Sequence, residues 1–99
     1  MRVMMKVSFP VEASNRGIKD GSLPKTIMSF IDQMKPEGAY FVADGGKRTA
    51  IFFFNLADPS SIPSAAEPFF MNLDAAIELT PAMNAADLKA GLEKAMRHG

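Results

Sequence analysis

The sequence predicts an α+β fold in which four strands and three helices follow one another in the order β-α-β-β-α-β-α. Three observations predict it: an alternating apolar pattern at the N-terminus, a glycine-containing turn between two apolar runs, and apolar residues at helical spacing in three other segments. At 99 residues and 10.7 kDa, the chain has room for one hydrophobic core. We therefore interpret residues 1–99 as a single domain.

The first part of the chain contains one predicted strand and one predicted helix. Apolar and polar residues alternate from Arg2 to Phe9, which indicates a strand that Pro10 ends. Residues 11–21 are polar and irregular, and the pattern leaves their conformation open. Ser22 is a suitable capping residue for a helix that ends before Pro36. The apolar stripe of this helix consists of Leu23, Ile27, Phe30, Ile31 and Met34.

A β-hairpin is predicted after this helix. Ala39–Ala43 is a short apolar strand, and Asp44-Gly45-Gly46 supplies residues that tolerate the positive φ angles of a tight turn. The third strand runs from Lys47 to about Leu56, with Ile51-Phe52-Phe53-Phe54 at its centre. We therefore expect the second and third strands to pair directly.

The rest of the chain adds a helix, a strand and a final helix. Asp58-Pro59 signals a helix start, but two further prolines predict that this helix is short or distorted, because proline lacks a backbone donor. Ala75–Thr80 is the fourth strand. Asn84 and Asp87 resemble a capping box that opens the last helix. Its apolar stripe consists of Leu88, Leu92, Ala95 and Met96.

This element order corresponds to a ferredoxin-like β-α-β-β-α-β arrangement with an added C-terminal helix. Two split βαβ units give a four-stranded antiparallel sheet of order 4-1-3-2, with helices on one face. The other face should then be polar, yet the alternation in strand 3 places phenylalanines on both faces. Burying each phenylalanine is worth about 1.5–3 kcal/mol. We therefore expect either the C-terminal helix or a second subunit to cover this face.

The element order and the two-sided central strand resemble the dimeric α/β-barrel superfamily, in which two ferredoxin-like sheets pack face to face. The resemblance implies a homodimer formed through the open sheet face. It implies no particular chemistry, because members include cofactor-free monooxygenases, lactone isomerases and haem-binding enzymes. Three segments are also similar to a group of short, uncharacterised bacterial proteins: Asp20-Gly21-Ser22-Leu23, Asp44-Gly45-Gly46-Lys47-Arg48 and Ala66-Glu67-Pro68-Phe69-Phe70.

The composition excludes several classes of function. Eleven basic and eleven acidic residues give a net charge of zero, which argues against nucleic-acid binding. No apolar run approaches about 18 residues, and Lys6 interrupts the N-terminal apolar run. We therefore expect a cytoplasmic protein with no membrane partner. The absence of cysteine and the single histidine predict no disulfide, no metal site and no cofactor.

Five residues are candidates for a ligand-binding site: Lys6, Glu12, Tyr40, Arg48 and Glu78. Lys6 and Glu78 occupy matching phases of adjacent strands, so they can meet as a structural ion pair or as an acid/base couple. Tyr40 points either into the barrel or toward the helices. Arg48 and Glu12 are expected at one end of the sheet, where Arg48 either holds a carboxylate or makes only surface ion pairs.

Three hypotheses about function follow. The first is a homodimeric barrel that binds a small apolar or weakly acidic molecule without catalysis, because the sequence has no recognisable catalytic residue set. The second is a cofactor-independent monooxygenase or isomerase that uses acid/base residues in the barrel pocket. The third is a purely structural subunit without a pocket. The sequence leaves open whether the protein is an enzyme.

Overall fold

Four antiparallel strands form one sheet in the computed structural model, which describes residues 1–98. The strands are β1 (Arg2–Ser8), β2 (Gly38–Asp44), β3 (Lys47–Asn55) and β4 (Ala76–Pro81). Their order is β2-β3-β1-β4, which is the predicted order 4-1-3-2 counted from the other edge. The predicted α+β, ferredoxin-like fold class with its added C-terminal helix is therefore confirmed. Gly99, the last residue of the predicted domain, lies outside the described residues.

Three helices cover one face of the sheet, and a fourth follows the last strand. They are α1 (Val11–Asp20), α2 (Ser22–Met34), α3 (Ile62–Leu73) and α4 (Ala85–His98). A short 3-10 turn at Pro59–Ser61 precedes α3. Within residues 1–98, no helix combines the length and the apolar composition needed to cross a membrane.

α1 occupies the segment whose conformation the sequence left open. Its buried side is made of small residues, Ala13, Ser14 and Gly17, which carry little hydrophobic signal. Gly17 is a close-packing position, because a Cβ atom there would lie 2.8 Å from Leu73 Cδ2 and 3.0 Å from Leu23 Cβ. The glycine that looks like a helix breaker in the sequence therefore lets α1 approach α2 and α3 closely.

The starts of α2 and α3 differ in detail from the sequence prediction. Gly21, with a φ of 84°, is the N-cap of α2, and Ser22 is its first helical residue. The Ser22 backbone N–H donates to the Asp20 carboxylate at 2.8 Å. α3 is a full twelve-residue helix, and Pro63 lies in its first turn, where no intrahelical donor is needed. Pro68 lies inside the helix, where it removes one backbone hydrogen-bond donor.

The core lies between the sheet and α1–α3 and is rich in aromatic rings. Phe30 of α2 contacts Phe52, Phe54 and Phe69, with ring centroids 4.4 to 5.4 Å apart. The helix-facing sides of β1 and β3 contribute the buried residues Val3, Met5, Val7, Ala50, Phe52 and Phe54. This packing fixes the sheet so that its opposite face points away from the first three helices.

α4 is set apart from this core. Its side chains from residue 85 to residue 97 are all exposed. The radius of gyration is 15.8 Å, against about 13 Å for a compact chain of this length. The predicted capping box is present: the Asp87 N–H donates to Asn84 Oδ1 at 2.8 Å, and the Asn84 N–H donates to Asp87 Oδ2 at 3.1 Å.

Candidate site on the open face of the sheet

We define the open face as the side of the sheet that faces away from α1–α3. The strand register assigns its residues, because directly opposed residues of antiparallel strands share a face. Its central row crosses all four strands as Tyr40, Ile51, Lys6 and Glu78. One neighbouring row contains Gly38, Phe53, Met4 and Thr80, and the other contains Val42, Thr49, Ser8 and Ala76.

Lys6 makes the central charged contact of the open face. Its Nζ atom lies 2.6 Å from Asp44 Oδ2 and 4.0 Å from Glu78 Oε2. The register therefore brings Lys6 and Glu78 together, but the closer partner is Asp44 at the end of β2. The sequence pointed to Asp44 as a turn residue at the end of the sheet where Arg48 and Glu12 are expected, but not as a partner of Lys6, because the contact runs diagonally across β3.

Thr49 shows how closely the Lys6 side chain follows the sheet. Lys6 reaches Asp44 across β3, and Thr49 lies between them in the register. Thr49 is only 3% exposed, although none of α1–α3 covers its side of the sheet. The aliphatic stem of a lysine commonly shields such a position while its ammonium group stays in contact with water. Lys6 itself remains about one-third exposed.

The ion pair changes the pKa of both partners. The hydrogen bond and the negative charge of Asp44 raise the pKa of Lys6 above its usual value. In the same way, Lys6 lowers the pKa of Asp44 below that of an ordinary carboxyl group. Both groups are therefore charged at neutral pH. Lys6 acts as a cation and a hydrogen-bond donor rather than as a neutral amine.

Apolar side chains of β1, β2 and β3 lie on one side of Lys6 on the open face. We call this group the apolar patch: Met4, Tyr40, Val42, Ile51 and Phe53. The Tyr40 ring packs edge-to-face on Phe53, with centroids 6.5 Å apart. Gly38 leaves room for this ring, because a Cβ atom at that position would lie 3.2 Å from Tyr40 Cε2. Tyr40 and Val42 are 60% and 45% exposed, so a substantial part of the patch faces solvent.

The phenylalanines of β3 lie on both faces of the sheet, as the alternation predicts. Phe52 and Phe54 both point into the core, so Phe53 is the only phenylalanine of this run on the open face. Phe41 lies on the helix-facing phase of β2, where its ring contacts Phe52 edge-on at 6.0 Å. The apolar patch thus depends on one phenylalanine, one tyrosine and three aliphatic or thioether side chains.

Arg48 and Glu12 lie apart from the Lys6 group, which we define as Lys6, Asp44 and Glu78. Arg48 is on the helix-facing phase of β3, and its Nη1 donates to Ser14 Oγ at 2.8 Å and to Asn15 Oδ1 at 2.7 Å. Glu12 is exposed in the first turn of α1. Of the five candidates, the structure brings together Lys6, Glu78 and Tyr40.

A second charged cluster lies at the opposite end of the open face. Arg2 forms ion pairs with Glu37 and, at 2.8 Å, with Asp87 in the first turn of α4. These residues line a cleft of about 580 Å³ that also includes Met83. None of the five residues of the apolar patch lines this cleft, so it lacks the apolar surface that lies beside Lys6.

Comparison of the chain with known protein families and with curated proteins finds no match. Within the described part of the chain, no group of three or more acidic, histidine or cysteine side chains is arranged to hold a metal ion. The Lys6 group and the apolar patch together form the candidate functional site.

Proposed function

We propose that the protein is a homodimer whose two open faces pack together as an α/β barrel and enclose a small, apolar, weakly acidic molecule. The observation that carries this proposal is the apolar patch around Lys6, which α1–α4 leave uncovered in the single chain. The proposal agrees with the resemblance to the dimeric α/β-barrel superfamily.

A second copy is the occupant that best matches the open face. A twofold axis brings the same patch of both copies together, so apolar side chains meet apolar side chains. Each large apolar side chain that becomes fully buried contributes about 1.5–3 kcal/mol. The net charge of the chain is zero, so association meets no overall electrostatic repulsion.

The chemistry of the patch supports the ligand class. The ammonium group of Lys6 can donate to a carboxylate or phenolate, and removal of water strengthens that interaction. Met4, Ile51 and Phe53 offer apolar surface for the rest of the molecule. A small aromatic or aliphatic acid combines these two requirements.

The pKa of Lys6 favours binding over acid/base catalysis. A general base near neutral pH needs a pKa close to 7, which for lysine requires a lowered value. Asp44 instead raises the pKa of Lys6. Lys6 therefore holds its proton and serves as an anchor for an anion.

Solution mass and ligand titration test the proposal. We expect sedimentation to show a dimer, and calorimetry to show binding of benzoate as a probe, with weaker binding of neutral benzamide. Lys6→Met keeps the aliphatic stem and removes the charge, and we expect it to weaken benzoate binding at least about tenfold. Lys19→Met, at an exposed position of α1, is the matched control and should leave binding unchanged.

Two results would overturn parts of the proposal. A monomer at tens of micromolar would remove the enclosed site. A stable dimer that binds no benzoate would contradict the anion-binding role. So would a stable dimer that binds benzoate equally well with and without the Lys6 charge. In that case the structural-subunit hypothesis would be favoured.

A further inference from the structure

α4 has an apolar stripe that no other part of residues 1–98 covers. Leu88, Leu92 and Met96 recur every four residues and are 48%, 56% and 80% exposed. Gly91 lies beside the stripe, and a Cβ atom built there would meet nothing within 4 Å. An isolated helix of this length is only marginally stable in water. The stripe therefore indicates that α4 has a packing partner.

α4 begins on the side of the sheet where the proposed dimer places the second copy. Arg2 shares the open-face phase with Met4 and Lys6. Its Nη1 atom lies 2.8 Å from Asp87 Oδ2, in the first turn of α4. The ion pair and the capping box fix the N-terminal end of α4, while the stripe lies beyond this anchor.

We propose that α4 packs antiparallel against α4 of a second copy of this chain, about a twofold axis that passes Leu92. This inference rests on the proposed homodimer and adds a second contact to it. The stripe is symmetric about Leu92, so Leu88 faces Met96 of the partner subunit, and Leu92 faces its own counterpart.

The charges of α4 match this antiparallel arrangement. Lys89 and Glu93 lie one turn apart along the same edge of the stripe. With the twofold axis at Leu92, Lys89 and Glu93 of the partner subunit are offset by only about 3 Å along the helix axis. The reverse pair forms at the symmetric position. Two ion pairs, each between a lysine and a glutamate, therefore lie along one edge of the apolar contact.

The area of the interface also supports a contribution from α4. Four strands spaced about 4.8 Å apart and about 23 Å long give an open face of roughly 450 Å² in projection. A stable dimer commonly takes about 800 Å² of accessible surface from each partner. The facing side of α4, about 21 Å long and about 10 Å wide, adds roughly 200 Å². Sheet and helix together approach the common size.

Site-specific cross-linking tests the geometry directly, because the chain contains no cysteine. Leu92→Cys places one thiol per chain on the proposed twofold axis. Under mild oxidation we expect a disulfide-linked dimer on a non-reducing gel. Ala90→Cys lies on the opposite side of the same helix and is the matched control, so it should remain largely uncross-linked. Equal cross-linking of the two variants would overturn the proposal.

Charge exchange provides an independent measurement in the full-length protein. Lys89→Glu should raise the dimer dissociation constant about three- to tenfold, because each bridge becomes a repulsion between like charges. Adding Glu93→Lys to that variant should restore the wild-type constant within about twofold. Failure of the double variant to recover would contradict the predicted pairing.

The two proposals fail in different ways. If the wild-type protein is a monomer, the open-face dimer and the α4 contact both fail. If the wild-type protein is a dimer but Leu92→Cys cross-links no better than Ala90→Cys, the α4 contact alone fails. Circular dichroism of each variant checks that α4 is still helical.

Discussion

Lys6 determines the electrostatic character of the open face through one close partner. The Lys6–Asp44 contact of 2.6 Å spans β3 and holds an ammonium group beside the apolar patch. The sequence placed Lys6 opposite Glu78 because period-2 alternation and strand order fix which residues share a row. The Lys6–Asp44 contact itself could not be predicted, since a diagonal contact depends on the length and rotamer of the lysine and on where the hairpin turns.

The Lys6–Asp44 pair should make stability depend on pH in the acidic range. The pKa of Asp44 is lowered in the folded protein, so its contribution is present above the ordinary value of 3.8 and is lost as the pH falls through the folded value. The destabilisation caused by Asp44→Asn, measured by urea unfolding, should therefore be present at pH 7 and vanish in strong acid. Asp32→Asn, at an exposed position of α2, makes the same chemical change and is the control. A pH-independent effect of Asp44→Asn would contradict this account.

Gly17 is the residue whose replacement tests the packing of α1. Gly17→Ala introduces a Cβ atom 2.8 Å from Leu73 Cδ2, and we expect it to lower the free energy of unfolding by about 1–3 kcal/mol. Gly91→Ala makes the same chemical change in α4, where a Cβ atom meets nothing within 4 Å. It should leave the free energy of unfolding unchanged or raise it. Similar urea midpoints for both variants would show that α1 is not closely packed.

The elements that were easiest to predict are those with a strong periodic pattern. β1, α2 and β3 follow from alternation or helical spacing, and their observed bounds lie within one residue of the expected ones. α1 escaped prediction because its buried side consists of Ala13, Ser14 and Gly17, so packing against α2 and α3, rather than large apolar residues, stabilises it. α3 was expected to be short or distorted; it has its full twelve residues, with Pro63 at the helix start, where proline is tolerated, and Pro68 inside the helix.

The cap of α4 is an element-scale feature that can be tested alone. Asn84→Ala removes the acceptor of the 2.8 Å hydrogen bond from the Asp87 N–H. We expect a loss of about 1 kcal/mol of helix stability, because the backbone N–H of Asp87 loses its side-chain acceptor. Hydrogen exchange should become faster in the first turns of α4 and stay unchanged in β1 and β3. Met83→Ala, at an exposed neighbouring position, serves as the control.

At the scale of the whole molecule, two apolar surfaces remain uncovered in one chain. The sequence predicted that either the C-terminal helix or a second subunit would cover the open face. α4 projects away from the core with its own stripe exposed, so it does not cover that face within the single chain. Whether α4 or a second subunit covers the open face depends on where α4 lies relative to the sheet, and the periodicity of α4 does not determine that position.

A matched pair of substitutions tests which face forms the dimer. Ile51→Lys places a charge in the central row of the open face, next to Lys6. We expect it to raise the dimer dissociation constant at least about a hundredfold, because a buried unpaired charge is costly. Ile18→Lys makes the same change at an exposed position of α1 and should leave the dimer intact. Comparable dissociation constants for the two variants would place the interface elsewhere.

The most direct test of the central claim is sedimentation equilibrium of the unmodified protein between about 1 and 50 micromolar at neutral pH. Pairing through the open face predicts a mass twice the chain mass of 10.7 kDa over the upper part of that range. A single species of 10.7 kDa at every concentration would contradict it, and the apolar patch around Lys6 would then be a solvent-exposed surface.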